Sequence, residues 1–226
     1  MRTHALKMDM SEKIKVDVWS DVQCPWCYIG KRKFEAGAEQ FGGEVEVEYH
    51  SFELSPDTPV DFEGSTADYL SQRKGMPLEQ VNGMLANVTN IAKSVGLDYD
   101  FDSVKQTNTV KAHELLHYAK AQGKQLEMKE RLLKAYFEEG HHVGRIEDLA
   151  QLAVEVGFDR ADVVRALTEE TYLSAVKADQ AQAIEYGIQG VPFFVIDGKY
   201  GVSGAQEAAT FAQVLQQVRD EQQATA

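Results

Sequence analysis

Residues 15–30 read KVDVWSDVQCPWCYIG, and they contain both the clearest structural signal and the clearest chemical signal of the chain. The first five residues alternate valines with polar residues, as in a short strand with one buried face. Pro25 suits the first turn of a helix, where its missing N–H costs nothing. The glycine pair 42–43 favours the end of that helix at Phe41. The stretch therefore predicts a strand that leads into a helix, with two cysteines at the junction.

Cys24 and Cys27 are the two cysteines of this 226-residue chain. A catalyst of disulfide exchange needs one thiolate that attacks and a second thiol that resolves the mixed disulfide. At a helix N-terminus, the first thiol lies beside unpaired backbone N–H groups and the positive end of the helix dipole. We therefore predict that Cys24 is the nucleophile, that its pKa lies below that of Cys27, and that Cys27 resolves the adduct.

The rest of the pattern predicts an α/β fold. A second strand with alternating valines is predicted near 45–49, and most of 66–186 has helical spacing. Residues 191–196 are a compact apolar run suited to a buried strand, a partner strand follows at 200–203, and a closing helix is predicted over 205–222. The two ends of the chain can then form one sheet, with the helical middle as an insertion.

Three motifs together resemble the DsbA family of the thioredoxin superfamily, and they are most similar to its cytoplasmic, FrnE-like branch. They are Ser20-Asp21-x-x-Cys24-Pro25-Trp26-Cys27-Tyr28-Ile29-Gly30, Phe52-Glu53-Leu54-Ser55-Pro56-Asp57 and Gly187-x-x-Gly190-Val191-Pro192-Phe193-Phe194-Val195-Ile196. The resemblance implies a thioredoxin-like fold with a large all-helical insertion. The expected domains are 13–62 plus 184–226 for the thioredoxin-like part and 63–183 for the inserted helical part.

The resemblance also implies supporting residues around the dithiol. Pro192 is expected to be the cis-proline of a loop that packs against the active disulfide, and Val191 is expected to offer backbone groups to a substrate peptide. Pro25 and Trp26 complete the expected site. The strongly oxidising periplasmic members have histidine where this chain has Trp26, so a less oxidising couple is expected. Trp26 is also a candidate for shaping the substrate surface, and the sequence leaves both roles open.

Composition argues against several other classes of function. The formal net charge of −13 would repel a nucleic-acid backbone, and the basic run Lys31-Arg32-Lys33 is interpreted as one solvated helix turn. No apolar run approaches the roughly 20 residues of a membrane helix, and Met1–Lys13 lacks the apolar run of a secretory signal. A cytoplasmic location is therefore expected. The expected partners are protein or peptide thiols and disulfides, with glutathione as a further candidate, and neither a cofactor nor a metal is expected. The oligomeric state is left open.

His113-Glu114-Leu115-Leu116-His117 is a competing motif, because H-E-x-x-H on a helix can bind zinc and activate water. A third ligand of such a zinc hydrolase could come from Glu138, Glu139 or His141. The alternative interpretation places His113 toward the core of the insertion or the active-site groove, and His117 and the pair His141-His142 on the surface.

Two further alternatives remain at this stage. One is a glutathione-dependent isomerase or transferase of the related kappa-like group, which shares the insertion but typically has serine at the first active position and lacks the second thiol. The presence of both Cys24 and Cys27 argues against that group. The other is a peptide-binding chaperone with a vestigial disulfide site.

Overall fold

A computed structural model describes residues 12–225, and within that range the chain forms one four-stranded sheet and nine helices. The strands are β1 (Ile14–Ser20), β2 (Val45–Ser51), β3 (Phe193–Ile196) and β4 (Tyr200–Ser203). The helices are α1 (Pro25–Phe41), α2 (Thr66–Lys74), α3 (Leu78–Ser94), α4 (Val110–Ala121), α5 (Gln125–Phe137), α6 (Ile146–Val156), α7 (Arg160–Thr168), α8 (Leu173–Glu185) and α9 (Ala208–Thr225). The predicted α/β class is confirmed. Two parts of the sequence predictions lie outside the described residues. They are residues 1–11, most of the segment in which no secretory signal is expected, and Ala226, the last residue of the predicted thioredoxin-like domain.

The sheet has the order β2-β1-β3-β4. β1 pairs in parallel with β2, and this pairing requires the crossover that α1 supplies. β3 runs antiparallel to both β1 and β4. The hairpin between β3 and β4 turns at Asp197 and Gly198, which both have positive φ, 56° and 64°, as the Asp-Gly pair predicts.

One hydrophobic core lies between the sheet and the pair α1 and α9. Its buried members are Ile14, Val16, Val18, Phe34, Tyr49, Phe194, Ile196, Val202, Phe211, Leu215 and Val218. The Phe194 ring centroid lies 5.5 Å from that of Phe34 and 4.7 Å from that of Phe211. A Cβ at Gly37 would stand 2.6 Å from the Ala208 carbonyl oxygen, so the close approach of α1 and α9 requires glycine at this position. This core supports β1, the interior strand that leads into α1.

A second core is built mainly from the helices between β2 and β3. It also contains Val22, Tyr28 and Ile29, which flank the two cysteines. The start of α1 is therefore packed between the sheet and the helical part. Side chains of the helical part can therefore contact the segment that contains the two cysteines. The predicted domain borders at 62/63 and 183/184 stay predictions, and α8 extends to Glu185.

Two elements begin later than the sequence predicts. β3 begins at Phe193 instead of residue 191, because Pro192 has no N–H for a strand ladder. α9 begins at Ala208 instead of residue 205, because the chain first makes a turn in which Gly204, with φ of 81°, donates its N–H to the Pro192 carbonyl at 2.9 Å. None of the helices in the described part of the chain has the length and apolar character needed to cross a membrane.

Candidate active site

The two cysteines lie where β1 passes into α1. Cys24 is the N-cap residue of α1, with an extended backbone and no side-chain cap hydrogen bond, and Pro25 is the first helical residue. The Cys27 N–H donates to the Cys24 carbonyl at 3.0 Å, which closes the first turn. Both cysteines are free thiols, with 4% and 3% of their surface exposed, whereas Trp26 between them is 40% exposed. Both thiols are thus nearly covered, while the aromatic residue between them in the sequence is exposed.

The loop before β3 packs against this pair. The Val191–Pro192 peptide bond is cis, and the Cys24 thiol lies 3.5 Å from the Val191 carbonyl oxygen. A Cβ at Gly30 would come within 2.9 Å of Pro192 Cγ, so the loop also contacts the second turn of α1. Residues singled out from distant parts of the sequence are therefore brought together at one place.

The electrostatic environments of the two thiols differ. A hydrogen bond to Cys27 and burial raise the pKa of Cys24. Burial also acts to raise the pKa of Cys27, but the hydrogen bond with Cys24, the Lys129 ammonium and the Asp21 backbone outweigh it and lower that pKa. These directions run opposite to the predicted order of the two thiol pKa values in the free dithiol, and the order stays a prediction. The helix terminus acts on Cys24 as expected, but a charge from another helix favours the thiolate at Cys27.

Asp21 is a buried residue between β1 and α1 whose carboxylate forms several hydrogen bonds. Its carboxylate accepts hydrogen bonds from the Leu54 N–H at 2.9 Å and the Gln23 amide at 3.2 Å, and it lies 3.0 Å from Nε2 of His113. Burial acts to raise the pKa of Asp21, but the interactions with His113 and the Leu54 N–H outweigh it and lower that pKa. Asp21 and His113 are both fully buried, so this pair ties α4 to the segment that presents Cys24.

Several contacts join the first turns of α1 to the helical part. The Tyr99 hydroxyl donates to the Pro25 carbonyl at 2.5 Å, and the Tyr28 hydroxyl donates to Glu130 at 2.8 Å. Lys31 also donates to Glu130, at 2.6 Å, and is buried. The interpretation of the basic run as one solvated turn is therefore wrong for Lys31, because an acidic residue of α5 pairs with it. No local sequence signal distinguished this lysine from its neighbours.

A model of the DSBA-like thioredoxin domain matches residues 15–216. The chain belongs to the DSBA-like thioredoxin domain family. The predicted family and the thioredoxin-like fold are thereby confirmed. Members of this family are thiol–disulfide oxidoreductases.

Three similar proteins illustrate the range of this family. The uncharacterized protein YwbO of Bacillus subtilis is 30% identical over 206 residues, which are 89% of this chain and 96% of that protein. A probable DsbA oxidoreductase from Streptomyces coelicolor is 38% identical with a TM-score of 0.84, over 90% of this chain and 89% of that chain. The cytosolic disulfide reductase DsbM of Pseudomonas aeruginosa, solved with GSH, is 18% identical with a TM-score of 0.63, over 91% and 99% of the two chains. The likeness to DsbM shows the shared fold alone.

In this DSBA-like domain, the two histidines of the H-E-x-x-H motif bind different carboxylates. His113 pairs with Asp21, and Nε2 of His117 lies 2.8 Å from Asp179 on α8. Glu114 between them is buried, 2.9 Å from the Lys111 ammonium. The imidazoles thus interact with partners on two separate elements.

The placement of His117 and His142 on the surface is wrong, because both are buried. His141 is exposed, as expected. Within residues 12–225, Asp17, Glu48 and His50 form a group of potential metal ligands that lie close together. Lysine side chains already pair with both carboxylates of that group.

A second polar cluster, which is partly buried, joins the sheet to the helical part. His50 on β2 lies between two carboxylates, with Nε2 2.7 Å from Asp17 and Nδ1 2.9 Å from Asp179. The second Asp179 oxygen contacts His117 on α4, so three elements meet at one carboxylate. The Trp19 ring stacks on His50 at 4.4 Å between centroids. Sequence reasoning did not find this cluster.

Burial alone would lower the pKa of His50, but the hydrogen bonds to Asp17 and Asp179 raise it to about 9. A raised histidine pKa contributes stability that is complete below the ordinary value of 6.5 and is lost as pH rises through about 9. The margin by which the free energy of unfolding of wild type exceeds that of His50→Asn is expected to be about 3 kcal/mol larger at about pH 6 than at about pH 9.5. Urea unfolding of both proteins measures this difference. A difference that does not change with pH would contradict the raised pKa.

Proposed function

We propose that this chain is a thiol–disulfide oxidoreductase whose Cys24 and Cys27 cycle between dithiol and disulfide. The observation that carries the proposal is the placement of Cys24 at the N-terminus of α1, against the Val191 carbonyl and beside Pro192. A helix N-terminus favours thiolate, and the second thiol one turn further on can resolve an adduct. Membership of a family of thiol–disulfide oxidoreductases supports the same conclusion.

The two thiols are assigned different tasks. Cys24 attacks a substrate disulfide and forms a mixed disulfide, while one substrate sulfur leaves as thiolate. The substrate thiolate that leaves takes up the proton that remains on the cysteine pair, so Cys27 is a thiolate for the second step. Cys27, as thiolate, then attacks the Cys24 sulfur and releases the second substrate sulfur. Two electrons pass from the enzyme pair to the substrate, and the reverse sequence oxidises a substrate dithiol.

The surroundings of Cys24 suit an extended peptide. The Val191 backbone lies beside the thiol and is proposed to hydrogen-bond a substrate chain, with Pro192 shaping the loop. Trp26 supplies an exposed apolar surface next to the dithiol, and Pro25 holds the first helical turn. Protein or peptide thiols are therefore the proposed substrates. Glutathione is a further candidate, supported by the GSH in the DsbM structure, and a cytoplasmic location is proposed by analogy with cytosolic DsbM.

Redox equilibration of the purified protein tests this proposal. In glutathione buffers, wild type is expected to convert reversibly between a dithiol and an intramolecular disulfide that is two hydrogens lighter, as followed by mass spectrometry. Wild type is also expected to accelerate reduction of insulin disulfides, whereas a Cys24→Ser/Cys27→Ser double variant is not. A wild-type protein that forms no reversible disulfide, or a double variant as active as wild type, would overturn the proposal.

A further inference from the structure

Tyr99 lies in the long irregular segment that connects α3 to α4. Long connections without helix or strand inside a compact domain usually have a function. The backbone on both sides of Tyr99 is bound to the end of α5. The Asp98 N–H donates to the Glu138 carboxylate at 2.7 Å, and the Asp100 N–H donates to the Phe137 carbonyl at 2.8 Å. These two bonds hold the Tyr99 backbone at a fixed place in the helical part.

The Tyr99 ring is buried and packs against other aromatic rings. It stacks on Phe137 with 4.6 Å between the centroids and 22° between the planes. Its centroid lies 6.2 Å from that of Tyr28 on α1, and 6% of the surface of Tyr99 is exposed. A buried tyrosine hydroxyl needs a hydrogen-bond partner. Because the ring and the backbone are both held by packing, that partner is set by the fold.

The partner of this hydroxyl is a backbone carbonyl between the two cysteines. The Tyr99 hydroxyl donates to the Pro25 carbonyl oxygen at 2.5 Å. Inside α1 the same oxygen also accepts the N–H of Ile29, four residues further on, as α-helix geometry requires. The Pro25 carbonyl therefore uses both of its lone pairs. Burial raises the pKa of Tyr99, so its hydroxyl stays protonated and acts as a donor.

The Pro25 carbonyl and the Trp26 N–H belong to the same peptide group. A donor on the carbonyl oxygen polarises that group, so its N–H becomes a stronger donor. Trp26 is the second helical residue after the N-cap Cys24, and an N-cap side chain accepts from the second or third helical N–H. Within the described residues, the Cys24 thiol makes no such cap hydrogen bond. A thiolate is a charged acceptor and would complete the cap.

We propose that Tyr99 is a positioning residue of the dithiol, and that its hydroxyl acts through the Pro25–Trp26 peptide to strengthen the helix N-terminus that stabilises the Cys24 thiolate. This inference rests on the proposed function. The hydroxyl keeps its proton, and no covalent bond forms or breaks at Tyr99. The thiolate exists in the reduced protein but not in the disulfide form, and a couple whose reduced form is stabilised is more oxidising. The contact thereby favours the dithiol form.

Tyr99→Phe tests the proposal, because it removes the hydroxyl and keeps the ring. In a Cys27→Ser background, we expect the acid dissociation constant of Cys24, followed by thiolate absorbance against pH, to fall about threefold. This change corresponds to the loss of about a quarter of the strength of one charged hydrogen bond. With both cysteines present, we expect the equilibrium with glutathione to shift about threefold toward the disulfide form, equal to a potential about 14 mV lower. In NMR spectra, the amide proton of Trp26 is expected to shift upfield, because its peptide group is less polarised.

Tyr28→Phe is the matched control. The Tyr28 hydroxyl also ties α1 to the helical part, through Glu130 at 2.8 Å, but it does not donate to a peptide group of the cap. This variant is expected to lose stability while the Cys24 dissociation constant and the glutathione equilibrium stay as in wild type. Equal shifts in Tyr28→Phe and Tyr99→Phe would show that Tyr99 only tethers the two parts of the molecule, and would overturn the proposal.

The outcomes separate this inference from the proposed function. If wild type exchanges disulfides but Tyr99→Phe keeps the Cys24 dissociation constant of wild type, the role of Tyr99 is wrong and the function stands. If wild type forms no reversible disulfide, the function fails, and the Cys24 titration still decides whether Tyr99 acts on that thiol. Should Tyr99→Phe not fold, Tyr99→3-fluorotyrosine replaces it, because a more acidic hydroxyl on the same ring is a stronger donor. That variant is expected to raise the Cys24 dissociation constant, and an unchanged or lower constant would refute the proposal.

Discussion

Serine in place of Cys24 is expected to abolish turnover of a small disulfide substrate and to trap no adduct, whereas Cys27→Ser is expected to accumulate a mixed disulfide. Cys24 lies at the helix N-terminus against the Val191 carbonyl, where a substrate chain is proposed to bind. Without Cys27, the adduct formed on Cys24 has no internal thiol to release it. Mass spectrometry of each variant after incubation with oxidised glutathione, together with turnover assays, measures both effects.

The outcome of this experiment assigns the roles whichever of the two thiols has the lower pKa in the free dithiol. Attack on a substrate depends on access and on the adjacent loop as well as on thiolate content. Equal trapping by both serine variants would show that either thiol attacks. Trapping by Cys24→Ser alone would reverse the assignment.

Asn in place of Asp179 is expected to lower the free energy of unfolding by about 3 kcal/mol or more, the usual effect of removing one partner from a buried ion pair. Its carboxylate contacts His50, His117 and the N–H of Ser51, at 2.8 to 2.9 Å. Burial acts to raise the pKa of Asp179, but the interactions with His117 and His50 outweigh it and lower that pKa. Removal of the charge leaves His50 with one carboxylate partner and loosens α4 and α8 from β2.

Equilibrium unfolding in urea measures this effect, provided that the denaturant slope stays unchanged. Asp220→Asn is a suitable control, because Asp220 is an exposed aspartate on α9. In the described part of the chain, its carboxylate accepts one side-chain hydrogen bond, from the Gln216 amide. That variant is expected to stay within about 0.5 kcal/mol of wild type. A loss of less than about 1 kcal/mol in Asp179→Asn would show that the cluster contributes little to stability.

The helical part of the molecule does more than cover the sheet. Its side chains reach the dithiol region at two points: His113 contacts Asp21, and the Tyr99 hydroxyl donates to the Pro25 carbonyl. The local motif between the cysteines is therefore an incomplete guide to their redox behaviour. The expectation of a less oxidising couple, drawn from Trp26 alone, stays a prediction.

The sequence alone determined the features that depend on neighbouring residues. The helix from Pro25 to Phe41 and the strand from Tyr200 to Ser203 have their predicted bounds, because a proline, a glycine pair and an Asp-Gly turn act locally on the backbone. The spacing of the two cysteines likewise indicated dithiol chemistry without any knowledge of the fold. Family membership could be predicted for the same reason, since its motifs are contiguous.

Only the tertiary structure decided which polar groups meet. The spacing of His113 and His117 is the same for a zinc site and for two imidazoles that bind separate carboxylates, and Asp21 and Asp179 come from opposite ends of the chain. Lys129 had a weak sequence signal, because it shares the apolar face of α5 with Leu132 and Leu133. The apolar pattern predicts that the Lys129 side chain is buried, but it does not predict which group lies next to its charge. A buried charge is stabilised by the opposite charge that the packing of distant helices brings next to it. The local sequence does not specify which group that is.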